Sequence, residues 1–197
     1  MIRNQLRPAI LLTAVFIVVT GLIYPGVVTA IARVVFPAQS AGSLVTVNGH
    51  VIGSRLIGQQ FTQPWYFHPR PSAAGNGYDA TASGGTNKGP TDRKLADTLI
   101  AGAIAQAESA GVPKGQIPAD MATSSASGLD PHISPANALF QVARVAAARG
   151  ADTAKVRALV EHQIEGRQLG FLGEPRVNVF ELNLALDSVL PRQGQAH

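Results

Sequence analysis

Between Arg7 and Arg33 the chain carries no charged residue. Pro8 to Ala32 is a run of 25 positions, and Ala9–Val19 within it is apolar except for Thr13. A hydrocarbon core of about 30 Å is crossed by roughly 20 such residues at 1.5 Å each. Thr13 and Thr20 can return hydrogen bonds to the helix backbone, and Tyr24 stands where aromatic rings anchor at a membrane surface. Pro25-Gly26 is expected to kink the far end. The same residues also fit a cleaved signal peptide, with Arg3 and Arg7 as its basic end, residues 9–23 as its apolar stretch and Val28-Thr29-Ala30 as small residues for cleavage. Either way the rest of the chain is exported. Arg3 and Arg7 hold the N-terminus inside by the positive-inside rule, with Arg33 alone on the far side.

Composition limits what the residues beyond this run can form. With 46% apolar and 14% charged residues, the 197-residue chain can bury a core, which excludes disorder as the whole answer. The absence of Cys excludes a disulfide scaffold and a thiolate metal site. The 16 basic and 12 acidic residues give a net charge of +4. Setting aside Arg3, Arg7 and Arg33 leaves 13 bases against 12 acids, so the remainder lacks the Lys/Arg stripe that a phosphate backbone needs. No nucleic-acid partner is expected.

The charge and hydropathy pattern divides the chain into three segments: a short cytoplasmic N-terminus at 1–7, an apolar run at 8–32 that is a transmembrane helix or the apolar part of a signal peptide, and an extracytoplasmic domain at 40–197. The expected class is α+β (mixed α/β), a small β-sheet covered by several helices. Leu44–Val47, Asn48-Gly49 and His50–Ile52 predict a β-hairpin, because Asn-Gly supplies the two positive φ values of a type I′ turn. Residues 59–90 are rich in Gly, Pro and Asn, long for a structureless loop. Thr91 is expected to cap a helix to about Ala110, burying Leu95, Leu99, Ile100, Ala103, Ile104 and Ala107, with Gly111 ending it. A short strand is expected near Met121–Ser125. Ser134 caps a helix with Pro135 at its first position, ending by Gly150, and Asp152 opens another to about Glu165. Arg176–Val179 reads as a short strand, and Asn178 starts a last helix through Val189.

Several constellations invite a chemical reading. Ala82–Pro90 is a glycine loop whose consecutive N–H groups could cradle an anion, although Lys88 is followed by Gly-Pro and not by the Ser/Thr of a Walker A loop. Its structural alternative is a tight connection needing positive φ. Ser127–Ser134 places serines, Asp130 and His132 within eight residues, the ingredients of a hydrolase with Asp130, His132 and a nearby serine such as Ser127. No Gly-x-Ser-x-Gly elbow accompanies them, and Asp130 before Pro131 suits a turn. His50, His68, His132, His162 and His197 show no metal-ligand spacing. Trp65-Tyr66-Phe67-His68-Pro69-Arg70-Pro71 is either an aromatic docking patch or the edge of the domain's own core.

These blocks, taken in order, resemble one family: the C subunit of the Kdp-type potassium-transporting P-type ATPase. The resemblance rests on Gly42-Ser43-Leu44, Gly53-Ser54-x-Leu56-Ile57-Gly58-Gln59, Tyr66–Ala73, Ser83–Pro90, Ser125–Ser134, Gln141-x-x-Arg144-Val145-Ala146, and Leu172–Val179 with Leu182-Asn183. It runs from the N-terminal helix to Leu190, with Thr86 and Lys88 as small departures. It implies a non-catalytic accessory subunit with one uncleaved transmembrane helix, in the bacterial inner membrane and in contact with lipid. The implied partners are a channel-like potassium-translocating subunit, an ATP-hydrolysing P-type subunit and a small single-helix subunit. Such subunits are held to stabilise the assembly, and a role as a catalytic chaperone raising ATP affinity has been proposed for them. No tightly bound cofactor is implied. ATP is the one family-proposed ligand, for which Ser83, Gly84 and Gly85 would take phosphate and Gln141 the base. That proposal conflicts with the arginine signal, since ATP is cytoplasmic and Arg3 and Arg7 put residues 40–197 outside. A periplasmic cap over the potassium entrance is the simpler role.

Overall fold

The computed structural model describes residues 2–89, 91–104 and 114–191 and divides into two compact units, Met1–Ser54 and Arg55–His197.

The first unit is led by helix. Helix α1 (Ile2–Val18) passes through a π-helical turn (Val19–Ile23) into α2 (Tyr24–Val35), and a single turn, α3 (Pro37–Ser40), comes next. Asn4–Val35 forms a 32-residue helix whose most apolar 18-residue window has a mean hydropathy of 2.3 with none of that window buried, long and apolar enough to cross a membrane by length and composition. The helix does not stop at Pro25-Gly26. Proline has no N–H, and its ring presses on the carbonyl four residues back. One turn earlier the backbone widens, and Tyr24 N–H reaches the Val19 carbonyl five residues back. Thr20 returns its hydroxyl to the Phe16 carbonyl at 2.6 Å, as its sequence context predicts. Strands β1 (Leu44–Val47) and β2 (His50–Ser54) form the expected hairpin, with Asn48 at φ 51° and Gly49 at φ 81°.

The second unit is α+β. Its sheet has three antiparallel strands in the order β3 (His132–Ile133), β5 (Arg176–Asn178), β4 (Ile164–Glu165). Helices α4 (Pro135–Arg149), α5 (Thr153–His162) and α6 (Val179–Val189) pack with it around Ile133, Val142, Val145, Val156, Val160, Val177, Leu182 and Leu186, all buried. Each such side chain contributes about 1.5–3 kcal/mol on leaving water. Side-chain caps set the helix starts where the sequence puts them. Ser134 accepts from Asn137 N–H, Asp152 from Ala154 N–H, and Asn178 from Phe180 and Glu181 N–H. Gly150, at φ 63°, closes α4.

Other expectations shift. Asp92, not Thr91, caps the next turn, accepting from Lys94 N–H at 2.7 Å. Leu95–Ile100 is π-helical, so its apolar residues leave the regular helical stripe. Ala103 is buried and Ile104 half-buried, but Ile100 is exposed. The remainder of that predicted helix, to Ala110 and Gly111, lies outside the described residues. Met121–Ser125 is not a strand. Ala119–Met121 forms a 3-10 turn, and the carbonyls of Thr123 and Ser124 go to Arg70. Helix α5 ends at His162, because Ile164–Glu165 joins the sheet.

Candidate functional site

The long segment 59–89 is held by side chains standing in for a missing sheet. Ser134, Asn137, Gln141 and Arg144 recur at three- and four-residue spacing and so share one face of α4. Gln141 accepts from His68 N–H at 2.7 Å and donates to the His68 carbonyl at 3.0 Å. From α6, Asn183 does the same for Phe67, at 2.9 and 3.0 Å. Two side-chain amides thus satisfy both backbone groups of two successive residues, as a neighbouring strand would. Arg144 adds bonds to the carbonyls of Pro64 and Tyr66 and to Gln141. Asn137 passes the network from Gln141 to Asp120, which also takes the Ser134 N–H and hydroxyl. Phe67 is thereby driven fully into the core. The aromatic block is the domain's own core edge: Phe61 and Tyr66 pack at 5.4 Å, and Tyr66 donates to Asp187 at 2.8 Å.

Beside this loop lies a cleft of about 510 Å³ whose lining includes Phe61, His68, Arg70, Tyr78, Asn137 and Gln141. Burial first, and the Arg144 charge second, hold the His68 ring below its ordinary pKa, against the pull of its bond to the Gln63 carbonyl. Burial pushes the Tyr78 hydroxyl up, and that hydroxyl donates to the Arg70 carbonyl. Burial would raise the Asp130 carboxyl. Hydrogen bonds from the His132 ring and N–H, together with the His132 and Arg70 charges, outweigh it and hold the group low. Arg70 also reaches the Thr123 and Ser124 carbonyls and the Thr123 hydroxyl. The arrangement fixes backbone. No nucleophile–base pair emerges from it.

His68 carries a pH prediction. A histidine whose folded pKa is depressed contributes stability that is complete above its unfolded value of about 6.5 and is lost as pH falls below it. Thermal unfolding is therefore expected to occur at lower temperature at pH 5.5 than at pH 7.5, and His68→Gln should flatten that difference. Asp130 adds a separate loss below about pH 4, as its carboxylate protonates.

The four residues proposed for nucleotide do not gather in one place. Gln141 lines the cleft, but its amide is spent on His68, Asn137 and Arg144. Ser83, Gly84 and Gly85 do not line it. Gly84 N–H and the Ser83 hydroxyl both go to the Ser127 carbonyl. A Cβ on Gly85 would stand 2.9 Å from the Ala126 carbonyl oxygen, so the glycine permits close contact between two backbones. Pro90, at the loop's end, lies outside the described residues. The Asp130–His132 pair is a local turn, with Asp130 accepting from His132 N–H at 2.9 Å. Ser127 accepts from Leu129 N–H, and among the described residues no serine hydroxyl bonds to His132. No group of three His, Asp or Glu suited to a metal occurs among the described residues, and His197 lies beyond them.

Sequence reasoning gave no role to Asn183, which it named only as part of a resemblance block, and missed Asn137, Asp120 and Arg149. The available signal was a polar stripe, Asn137, Gln141 and Arg144, running beside the apolar stripe of α4, and a lone Asn inside the apolar run of α6.

Comparison with known proteins covers nearly the whole chain. The family model described as "K+-transporting ATPase, c chain" matches residues 6–188. A protein of Koribacter versatilis is 56% identical over 96% of this chain and 97% of its own length. One from Gemmatimonas aurantiaca is 58% identical over 94% of each chain, and one from Caulobacter sp. strain K31 is 53% identical over 98% and 97%. All three are named potassium-transporting ATPase KdpC subunits. The blocks that lace segment 59–89 to α4 and α6 fall inside this match, and the chain belongs to the KdpC family, the c chain of potassium-transporting ATPases.

Proposed function

We propose that the chain is a non-catalytic accessory subunit of an ATP-driven potassium uptake complex. It is anchored in the bacterial inner membrane by residues 8–32, with its N-terminus cytoplasmic and residues 40–197 in the periplasm. There it stabilises the assembly of the potassium-translocating, ATP-hydrolysing and small single-helix subunits. The observation that carries the reading is the match to the c-chain family over residues 6–188. The exposed apolar helix supports an anchor. Arg3 and Arg7 on one flank against Arg33 on the other support the orientation. Buried polar side chains, Asn137, Gln141, Arg149, Asn178 and Asn183, that bond the domain's own backbone and side chains support a structural role.

A chaperone effect on ATP affinity, if the assembled pump has one, acts across the membrane through subunit contacts in this reading and not through Ser83, Gly84, Gly85 and Gln141. The chain's lack of cysteine makes orientation testable. In Ser188→Cys the single thiol should react with a membrane-impermeant maleimide added to intact spheroplasts. Labelling only after the membrane is opened would contradict the proposal.

A further inference from the structure

The connection between β4 and β5 is a second hairpin, and its tip is apolar. Gln168 and Leu172 exchange both backbone hydrogen bonds at 2.9 Å, and Arg167 clamps Glu174 through both carboxylate oxygens at 2.8 and 2.7 Å. Above that clamp Leu169 is 84% exposed, Phe171 68% and Leu172 48%. Leu169 sits at φ 53°, a conformation that branched side chains rarely adopt. Three large apolar side chains are thus held in water on a braced turn, one of them in an uphill backbone conformation. Such cost persists where the surroundings over-determine it, and functional sites are where it collects.

We infer that this tip, residues 168–173, is a docking knob that seats in an apolar pocket of another protein subunit of the same complex. The inference rests on the accessory-subunit reading. The charges around the tip select a protein partner over lipid. Loops that bind a bilayer surface pair their apolar residues with unpaired Lys or Arg facing anionic headgroups. Here the bases at the hairpin are Arg167 and Arg176, and each is already paired, with Glu174 and with Glu165 at 2.8 Å. The stem is neutral and the tip apolar, which fits a pocket with an apolar floor and an uncharged rim. An exposed aromatic flanked by aliphatics is the usual anchor of such a contact, and a pre-braced turn loses little freedom on binding.

The test uses the full chain in its membrane complex. With a benzophenone amino acid in place of Phe171, irradiation should yield an adduct to another subunit of the complex. Adducts to lipid only, adducts to a second copy of this chain, or no adduct from an intact complex would each overturn the inference. In parallel, a tagged Leu169→Asn/Phe171→Ser chain keeps a residue that tolerates positive φ and loses only exposed side chains. Its thermal midpoint should be unchanged while recovery of the other subunits falls about tenfold or more. Undiminished recovery overturns the knob and leaves the accessory-subunit reading standing. A wild-type chain that recovers no other subunit overturns that reading, and the knob with it.

Discussion

Gly128→Ala is expected to lower the thermal midpoint of the chain by about 10 °C. Gly128 stands at φ 68°, and a Cβ there would lie 2.7 Å from Ala74 N, 2.8 Å from Ala74 Cβ and 2.8 Å from the Gly84 carbonyl oxygen. None of these can yield as the end of a flexible side chain would. A left-handed alanine costs about 1–2 kcal/mol, and forced overpacking a further 1–3 kcal/mol. Roughly 3 kcal/mol at 2–4 °C per kcal/mol gives the stated fall for a chain of this size. The residue lies where segments 58, 72–85 and 126–130 meet. Ser72 donates its hydroxyl to the Gly128 carbonyl at 2.6 Å, Gly58 N–H bonds to Leu129 and Gly84 N–H to Ser127. Gly84→Ala is the control, because a Cβ there meets nothing within 4 Å. Its midpoint should match wild type. Calorimetry of the three proteins decides the matter, and equal midpoints for all three would show that this junction does not hold the fold.

Arg149→Ala is expected to cost about 3 kcal/mol, again near 10 °C. The Arg149 side chain is 1% exposed and donates to the Trp65 carbonyl, the Leu190 carbonyl and Asp187, with its guanidinium 5.2 Å from the Tyr66 ring centre. It ties the aromatic loop, the end of α4 and the end of α6 in one group. Truncation removes three donated bonds and opens a cavity. The Asp187 side chain, 39% exposed, can turn to water, so the pair contributes less than a fully buried one. Arg149→Met keeps most of the packing and should lose less than alanine does. Arg149→Lys keeps the charge but cannot serve three acceptors in different directions, and should fall between wild type and alanine. Urea unfolding at neutral pH separates the three. An alanine variant as stable as wild type would show that this group does not tie the loop to the helix ends.

Local chemistry was the legible part of this molecule. The caps at Ser134, Asp152 and Asn178, the stop at Gly150 and the Asn48-Gly49 turn all act within four residues, so their meaning is written beside them. The membrane-length run was legible for the same reason, since hydropathy accumulates along the chain. Non-local pairing was not. Strands β3 and β4 have two residues each and no period to read, and their shared partner β5 lies beyond both in the chain. Segment 59–89 reads as an open loop because its ladder comes from Gln141 and Asn183, 73 and 116 residues away. The glycine block at 83–85 resembles an anion cradle because close backbone packing and anion binding ask for the same residues. Only the positions of Ala126 and Ser127 show what those glycines approach. The resemblance to the c-chain family recovered the protein's place without the geometry, and the geometry explains what several of its blocks hold together.

In the proposed function this chain works as part of a larger membrane pump and not by chemistry of its own. Purifying the tagged full-length chain from its native membrane in mild detergent, and identifying what accompanies it, tests that most directly. A channel-like subunit, an ATP-hydrolysing subunit and a small single-helix subunit are expected in fixed proportion to this chain. A chain recovered alone, or released from the membrane and beginning at residue 31, would contradict it.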